Sequence, residues 1–506
     1  MPVTRRELLG GTAAAAAAGA VGVVVGKAIS GGDEEGTSPN GTPVPGGGGA
    51  IDDVIAARGL SPDDAVRAVK TYVPGAKSDE YFIFSSAGHG GQILVIGVPS
   101  MRLLKVIGVF TPEPWQGWGL GADAGNQIIA NGTDIAVKGK GPELKWADTH
   151  HPGLSETGGE YDGRWIYIND RANGRIAMVD LRDFKTKQIV DIPHLQTSHG
   201  GVFVTPNSDY AHISTMSPTL IPGSDPQAAV ESVDNFAASF RGYSTWCKID
   251  PATGKLDMSK SFQVELPPYT QDLADAGKLA SDGWGFINSY NSEMAAGGIL
   301  QGRPAIEVGA SQNDFDFMHI INWKKAEEVV AAGKAEDRDG IKVIPLETAT
   351  AEGILFLAPE PKSPHGVDVA PNGQYICVGG KLSTMGTVYS IDKIKAAIDA
   401  KDFEGNDRFG VPILKFDSVM VAQVDLGAGP LHTQFDDKGY AYTSLFLDSA
   451  VARWSLGGEY ASKHAEEPWK LVQKTPVQYN IGHLCAAEGD TVSPDGNYLI
   501  SMSKWS

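Results

Sequence analysis

Six of the 11 histidines in this 506-residue chain recur at one phase of a degenerate strand repeat. His150 and His151 are adjacent, in Asp148-Thr149-His150-His151-Pro152; the others are His199, His365, His432 and His483. Neighbouring side chains on an extended segment leave on opposite faces. An adjacent pair therefore suits a metal cluster, or a site closing round a strand end, better than a single ion. Pro152 biases His151 toward extended backbone, and Asp148 is placed to accept an imidazole N–H and fix its orientation. Alone, the pentapeptide reads equally well as a polar turn between strands.

The repeat removes that balance. Tyr161-Asp162-Gly163-Arg164-Trp165, Thr205-Pro206-Asn207-Ser208-Asp209-Tyr210, Ala370-Pro371-Asn372-Gly373-Gln374-Tyr375, Phe435-Asp436-Asp437-Lys438-Gly439-Tyr440 and Ser493-Pro494-Asp495-Gly496-Asn497-Tyr498 are its copies. Each is a turn feeding a strand of alternating aromatic and aliphatic residues, a hairpin signal. His199, His365 and His432 lie seven, six and five residues before Pro206, Pro371 and Asp437, and His483 lies 11 before Pro494. The His150/His151 pair precedes Tyr161 by a similar interval. Each thus falls on or just before the strand leading into a hairpin turn. Repeated units of this kind read as propeller blades, whose innermost strands line a central channel. Side chains at one phase of several blades then converge on the axis.

Ser198-His199-Gly200-Gly201, Pro364-His365-Gly366 and Gly482-His483 set glycine beside histidine, so a neighbour can approach closely. Six convergent imidazoles with no thiolate partner suit copper, with zinc a weaker candidate. A metal would hold them neutral and ligated. His89, His194, His212, His319 and His464 lack this phase and context and are expected to be ordinary strand or loop residues outside the site.

The elements that must position these residues are mostly short strands. Sixty-two Gly and 30 Pro, with few amphipathic runs, indicate many strands joined by turns. Helical insertions are expected at 323–333 and 391–400, and one or two helices over 51–72, starting at Ser61-Pro62-Asp63-Asp64. An irregular propeller is the favoured architecture and a pair of β-sandwiches the alternative. The formal net charge of −19 excludes nucleic acid and anionic membrane surfaces as natural partners. Three isolated cysteines, Cys247, Cys377 and Cys485, form neither a disulfide framework nor a thiolate metal motif. Residues 1–30 read as a twin-arginine export signal, with Thr4-Arg5-Arg6-Glu7-Leu8-Leu9 ahead of an Ala/Gly/Val run. The expected location is periplasmic or otherwise extracytoplasmic. Residues 31–50 read as a flexible Gly/Pro/Ser linker, and 51–506 as the β-propeller catalytic domain.

From about residue 80 onward the sequence resembles the N-terminal propeller of nitrous oxide reductase. The resemblance rests on Asp148-Thr149-His150-His151-Pro152, Ser198-His199-Gly200-Gly201, Lys362-Ser363-Pro364-His365-Gly366, Gly429-Pro430-Leu431-His432-Thr433 and Gly482-His483-Leu484, in that order. It implies an all-β, seven-bladed β-propeller with a few helical insertions and an incomplete last blade. It also implies that His150, His151, His199, His365, His432 and His483 hold a sulfide-bridged tetranuclear copper cluster, where nitrous oxide is reduced to dinitrogen and water. Lys504 falls where that family keeps a lysine beside the cluster's open edge. Ser289-Tyr290-Asn291-Ser292-Glu293-Met294 resembles its calcium site, with Tyr290, Glu293 and Asp316 as oxygen ligands. Implied partners are a periplasmic electron donor, such as a cytochrome c or a cupredoxin, and a second copy in a head-to-tail homodimer.

The sequence also departs from that pattern. A seventh histidine, the acid beside it and a cupredoxin domain would follow Ser506. The C-x3-C-x3-H motif of a dinuclear copper centre does not occur here, and Ser363 replaces an expected asparagine. The chain is therefore expected to be a truncated propeller domain that does not turn over nitrous oxide with its natural donor. The other classes weighed are a non-catalytic exported propeller binding a metal or partner, and a quinoprotein-type dehydrogenase. The latter is disfavoured because its site would rest on acidic calcium ligands rather than a ring of histidines.

Overall fold

The computed structural model describes residues 47–75, 77–110, 147–290 and 316–504. The twin-arginine segment, residues 31–46 of the expected linker, and Glu293 lie outside the described residues. The chain divides at Ser78/Asp79 into two units. In the first, helices span Gly47–Ala57 and Pro62–Thr71. The second starts where the sequence indicates: Ser61 Oγ accepts from Asp64 N at 3.2 Å while the Asp64 carboxylate accepts from Ser61 N at 3.0 Å. The first helix begins at Gly47, inside the glycine run read as linker. No helix among the described residues is long and apolar enough to cross a membrane.

In the second unit the turn chemistry of the repeat builds the hairpins. Thr205 Oγ1 accepts from Asp209 N at 2.9 Å and Tyr210 N at 3.0 Å, closing the turn into the Tyr210–Ser214 strand. Asp436 Oδ1 plays the same part, accepting from Lys438 N at 2.9 Å and Tyr440 N at 2.8 Å. Side-chain acceptors that mimic a backbone turn favour Thr, Asp and Asn at these places.

Among the described residues the strands form six blades of three to six strands in chain order. The first is Tyr81–Ser86, Gln92–Val98 and Leu103–Gly108, and the second runs from Thr149–Thr157 to Lys185–Asp191. The third is built on Phe240–Ile249 and Leu256–Leu266. The fourth contains Thr270–Ala276, Trp284–Tyr290, Asp316–Asn322 and Leu355–Glu360. The fifth starts at Pro364–Val369 and the sixth at Pro430–Phe435. A further two-stranded sheet, Ile481–Ala486 with Leu499–Ser503, follows the sixth blade in the chain. The architecture is thus an all-β propeller, with helices at Trp323–Ala331 and Ile391–Ala400 close to the expected bounds.

The core consists of successive interfaces between blades. Ile93 and Ile107 meet Ile166 and Val179; Tyr167 and Met178 meet Ile213 and Cys247. Trp246 and Phe262 pack on Ile287 and Leu357, Phe286 and Ile320 on Val378 and Tyr389, and Val388 on Phe435 and Trp454. The ring is joined at its ends, where Tyr81 Oη donates to Asp495, Tyr498 Oη donates to Glu80 at 3.1 Å, and the two tyrosine rings stand 6.0 Å apart.

Neighbouring inner strands pack on one another around the axis, and beyond the histidines they carry a tier of acids, Glu156 buried and Asp275 and Asp368 half-buried. Asp275 Oδ2 accepts from Val369 N and Asp368 Oδ2 from Thr433 N, each at 2.8 Å. Lys278 donates to the Asp490 carbonyl. Burial pushes the Glu156 carboxyl up to about 8, against the opposing pull of Lys278, and Asp275 up to about 6. The folded protein therefore keeps a proton on Glu156 that the unfolded chain releases near its ordinary value of 4.5. The stabilisation linked to that proton is full below the unfolded value and is lost as pH rises toward 8. Glu156→Gln should remove this loss, so the variant's unfolding midpoint falls less than the parent's between about pH 5 and about pH 9. Equal falls, read by thermal denaturation, would show that Glu156 is not held protonated.

Candidate metal centre

The structure brings all six in-phase histidines together on the axis. His150 and His151 lie on Thr149–Thr157, His365 on Pro364–Val369, His432 on Pro430–Phe435 and His483 on Ile481–Ala486. His199 sits in the segment leading to the isolated Val204↔Ala211 bridge of the third blade. Ring centroids form a closed circuit: His150 to His199 4.7 Å, His199 to His365 5.4 Å, His365 to His432 4.9 Å, His432 to His483 4.6 Å and His483 to His150 5.5 Å. His151 fills the middle, 4.2 Å from His150 and 4.6 Å from His483.

Regular strands would not produce this circuit, and the chain departs from regularity at the site. Pairing registers shift between His150 and Gly153, Gln271 and Ala274, Pro364 and Val367, Pro430 and Thr433, and Ile481 and His483. Such bulges re-aim side chains. His151 is not extended, as its place before Pro152 suggested: its φ of 47° is left-handed. A non-glycine residue holds that conformation only where its surroundings fix it. Together the left-handed residue and the bulge turn two successive rings to one side, which is how an adjacent pair serves one site.

Two glycines make the close approaches possible. A Cβ on Gly201 would lie 2.9 Å from the His151 Cβ, and one on Gly366 would lie 2.0 Å from the Leu431 carbonyl oxygen. Gly366 thereby seats the His365 strand against the His432 strand.

One blade contributes a carboxylate in place of an imidazole. Asp272, on Thr270–Ala276, accepts from His199 Nδ1 through Oδ1 and from His365 Nδ1 at 2.8 Å through Oδ2. Lys381 Nζ lies 3.5 Å from the same Oδ2. Burial alone would raise the Asp272 pKa, but His365, His199 and Lys381 hold it well below the carboxylate range. Burial pushes His365 and His483 down to about 3. It also holds His150, His151 and His432 well below their usual value, with neighbouring rings adding to the effect. Those five rings are therefore neutral, and Asp272 fixes the tautomer of His199 and His365, so their Nε2 lone pairs point away from it. Asp272 shares neither the phase nor the glycine context of the histidines. Its only sequence signal is an acid amid the small and apolar residues of Leu273-Ala274-Asp275-Ala276.

The donor set fits a metal. The Nε2 atoms of His150, His151, His365 and His432 are buried without a hydrogen-bond partner, an unfavourable state for polar atoms unless something else is bound there. Ring nitrogens of His150, His151 and His199 lie within 4.8 Å of one another, as do those of His151, His432 and His483. Because His151 belongs to both sets, adjacent ions fit the group better than one. Neutral nitrogen donors without thiolate suit copper or zinc.

The remaining expected residues divide. Among the described residues Asp148 bonds to no imidazole; its carboxylate accepts from Arg171 NH1 at 3.3 Å. Lys504 directly follows the last strand, its main-chain N donating to Asn480 O at 2.9 Å and its Nζ 5.5 Å from the Phe446 ring centre. Its charge reaches His365, His432 and His483. Tyr290 ends one strand and buried Asp316 begins the next, accepting from Ser363 N at 2.9 Å through Oδ2. His194, His212, His319 and His464 bond to Gln263, Ser244, the Ile287 carbonyl and the Leu456 carbonyl, away from the six. His89 lies exposed in the turn between the first two strands.

Fold and site together define a β-propeller whose axis carries a ring of neutral imidazoles. The nitrous oxide reductase propeller repeat family matches residues 474–506. Nitrous-oxide reductase of Pseudomonas fluorescens is 32% identical over 444 residues, covering 86% of this chain and 62% of that protein. The Stutzerimonas stutzeri nitrous-oxide reductase is 30% identical over 447 residues, with the same coverage. Among solved structures, the β-propeller domain of Cps50 (Swd1) from Myceliophteria thermophila is similar at a TM-score of 0.42 and 9% identity, covering 84% of this chain and 94% of that one. That likeness is too loose to bear on function. The chain is similar to these nitrous-oxide reductases over most of its own length, and it spans 62% of the length of the curated relatives it matches.

Gly366→Ala should force the Pro364–Val369 and Pro430–Phe435 strands apart, because the added methyl meets a backbone carbonyl. The variant should fold yet bind copper at least about tenfold more weakly, since the supporting shell no longer holds His365 and His432 in place. Copper titration checks this; unchanged affinity would mean the close approach does not position the rings.

Proposed function

We propose that this chain is the cluster-bearing propeller of a nitrous-oxide reductase, with His150, His151, His199, His365, His432 and His483 ligating one polynuclear copper–sulfide cluster. The observation that carries this reading is the closed circuit of five rings around His151, with four of the six Nε2 atoms buried and partnerless. The similarity to named nitrous-oxide reductases supplies the substrate. The reaction is N2O with two protons and two electrons giving N2 and water. When bound, the cluster would supply electrons and an open edge at which the N–O bond is reduced.

The chain's own groups set the surroundings. Burial keeps the imidazoles neutral, so they offer lone pairs rather than charge. Asp272 is a positioning residue: its two oxygens fix His199 and His365. Lys504 is the proposed proton donor to the departing oxygen, its charge felt by three of the six rings on one flank. Tyr290, Glu293 and Asp316 are the proposed oxygen ligands of a structural calcium ion beside the fourth blade. Export through the twin-arginine pathway to the periplasm, a seven-bladed ring, a head-to-tail homodimer and a cytochrome c or cupredoxin as electron donor complete the reading.

The test is to produce the protein with copper and sulfide supply, then measure copper, zinc and acid-labile sulfide per chain. His432→Ala, which leaves strands and turns intact, should keep its circular dichroism and lose most of its copper and sulfide. Zinc in place of copper in the parent protein would favour the non-catalytic propeller. Full copper in the variant would remove His432 from the ligand set.

A further inference from the structure

We propose that Glu360 is a ligand of a divalent-cation site at the end of the fourth blade, together with Asp316 and the Tyr290 carbonyl. The inference rests on the calcium reading above and adds to it a carboxylate that the sequence did not single out.

The geometry begins with register. Asp316–Asn322 pairs with Leu355–Glu360, and Asp316 stands directly opposite Glu360. On its other side the same strand pairs with Trp284–Tyr290, Asn288 opposite Met318. Two residues further along, that register brings Tyr290 opposite Asp316. The three residues thus form a row across three adjacent strands. Side chains directly opposite on paired strands share a face, with Cβ atoms about 4.5–5.5 Å apart.

Two carboxylates placed this way repel each other, and burial makes the repulsion worse. Asp316 is 1% exposed and Glu360 4%. Asp316 has the Ser363 N–H as a donor at 2.9 Å. Glu360 has none among the described residues: both of its carboxylate oxygens are buried without a hydrogen-bond partner. Nor does a lysine balance it, because the Nζ of Lys362, two residues on, is itself buried without a partner.

Two species could relieve the pair, a proton or a cation. A neutral carboxyl, however, carries an O–H that must donate. Its nearest acceptor by register is Asp316, and no hydrogen bond joins them. A hard cation satisfies what the proton does not. It takes oxygen atoms from both carboxylates and from a main-chain carbonyl, the donor types calcium prefers. Ser363, held at a left-handed φ of 53°, donates its backbone N–H to Asp316 beside the row.

The experiment uses the whole chain and calcium chloride. Calcium affinity is measured by calorimetric titration, and the thermal unfolding midpoint is read with calcium and with a chelator. The proteins compared are the parent, Asp316→Asn and Glu360→Gln. The parent should bind calcium and gain midpoint, and both variants should bind at least about tenfold more weakly, since fewer charged oxygens lower affinity. In chelator, Glu360→Gln should unfold no lower than the parent, because it removes a carboxyl that nothing satisfies; with calcium it should unfold lower. A purely structural role for Glu360 would lower the midpoint in both conditions and overturn the proposal. If Asp316→Asn loses calcium while Glu360→Gln binds like the parent, Glu360 is no ligand and the calcium reading stands. If the parent binds no calcium, the calcium reading itself fails.

Discussion

Six imidazoles crowded into one buried volume are the constraint on which the rest of this structure turns. Four of their Nε2 atoms are buried and unpaired, and leaving a buried polar atom unsatisfied costs about 1–3 kcal/mol each. Protonation offers no escape, because burial and neighbouring rings depress the pKa values of five of the six. The arrangement makes physical sense only with something bound that accepts several nitrogen lone pairs at once. Until then the ring is held open by packing elsewhere.

That packing is distributed between blades rather than gathered in one core. Each interface, such as Trp246 and Phe262 against Ile287 and Leu357, locks two sheets at a fixed angle. The inner strands are therefore positioned by apolar contacts remote from the histidines, and they tolerate local irregularity at the axis. The bulges, the left-handed His151 and the tight Gly366 contact are departures that an isolated hairpin would not sustain. Asp272 adds a polar link, tying rings from two segments to a single carboxylate.

Much of this was legible in the sequence, for definite reasons. Propeller blades repeat, strands alternate with period two, and turn chemistry is local, so Thr205, Asn372 and Asp436 announce their hairpins and give the histidines a phase. What was not legible depends on contacts between segments far apart in sequence. Asp272 lies 73 residues from His199 and 93 from His365, and nothing near it signals either. Glu360 matters only because strand pairing sets it opposite Asp316. Local reasoning also misjudged His151, where Pro152 favours extended backbone and tertiary packing overrides it, and Asp148, which Arg171 claims before any imidazole does. Gly47 shows the same limit at the other unit, since a glycine run reads as linker but here begins a helix.

The central claim is that the six rings share one polynuclear copper centre. Diffraction from crystals of the copper-loaded protein, collected on either side of the copper absorption edge, tests it most directly. The account predicts a tight group of copper peaks inside the circuit formed by His150, His199, His365, His432 and His483, with His151 at its middle. A single peak bound by one trio of histidines, or copper peaks only outside the circuit, would contradict it.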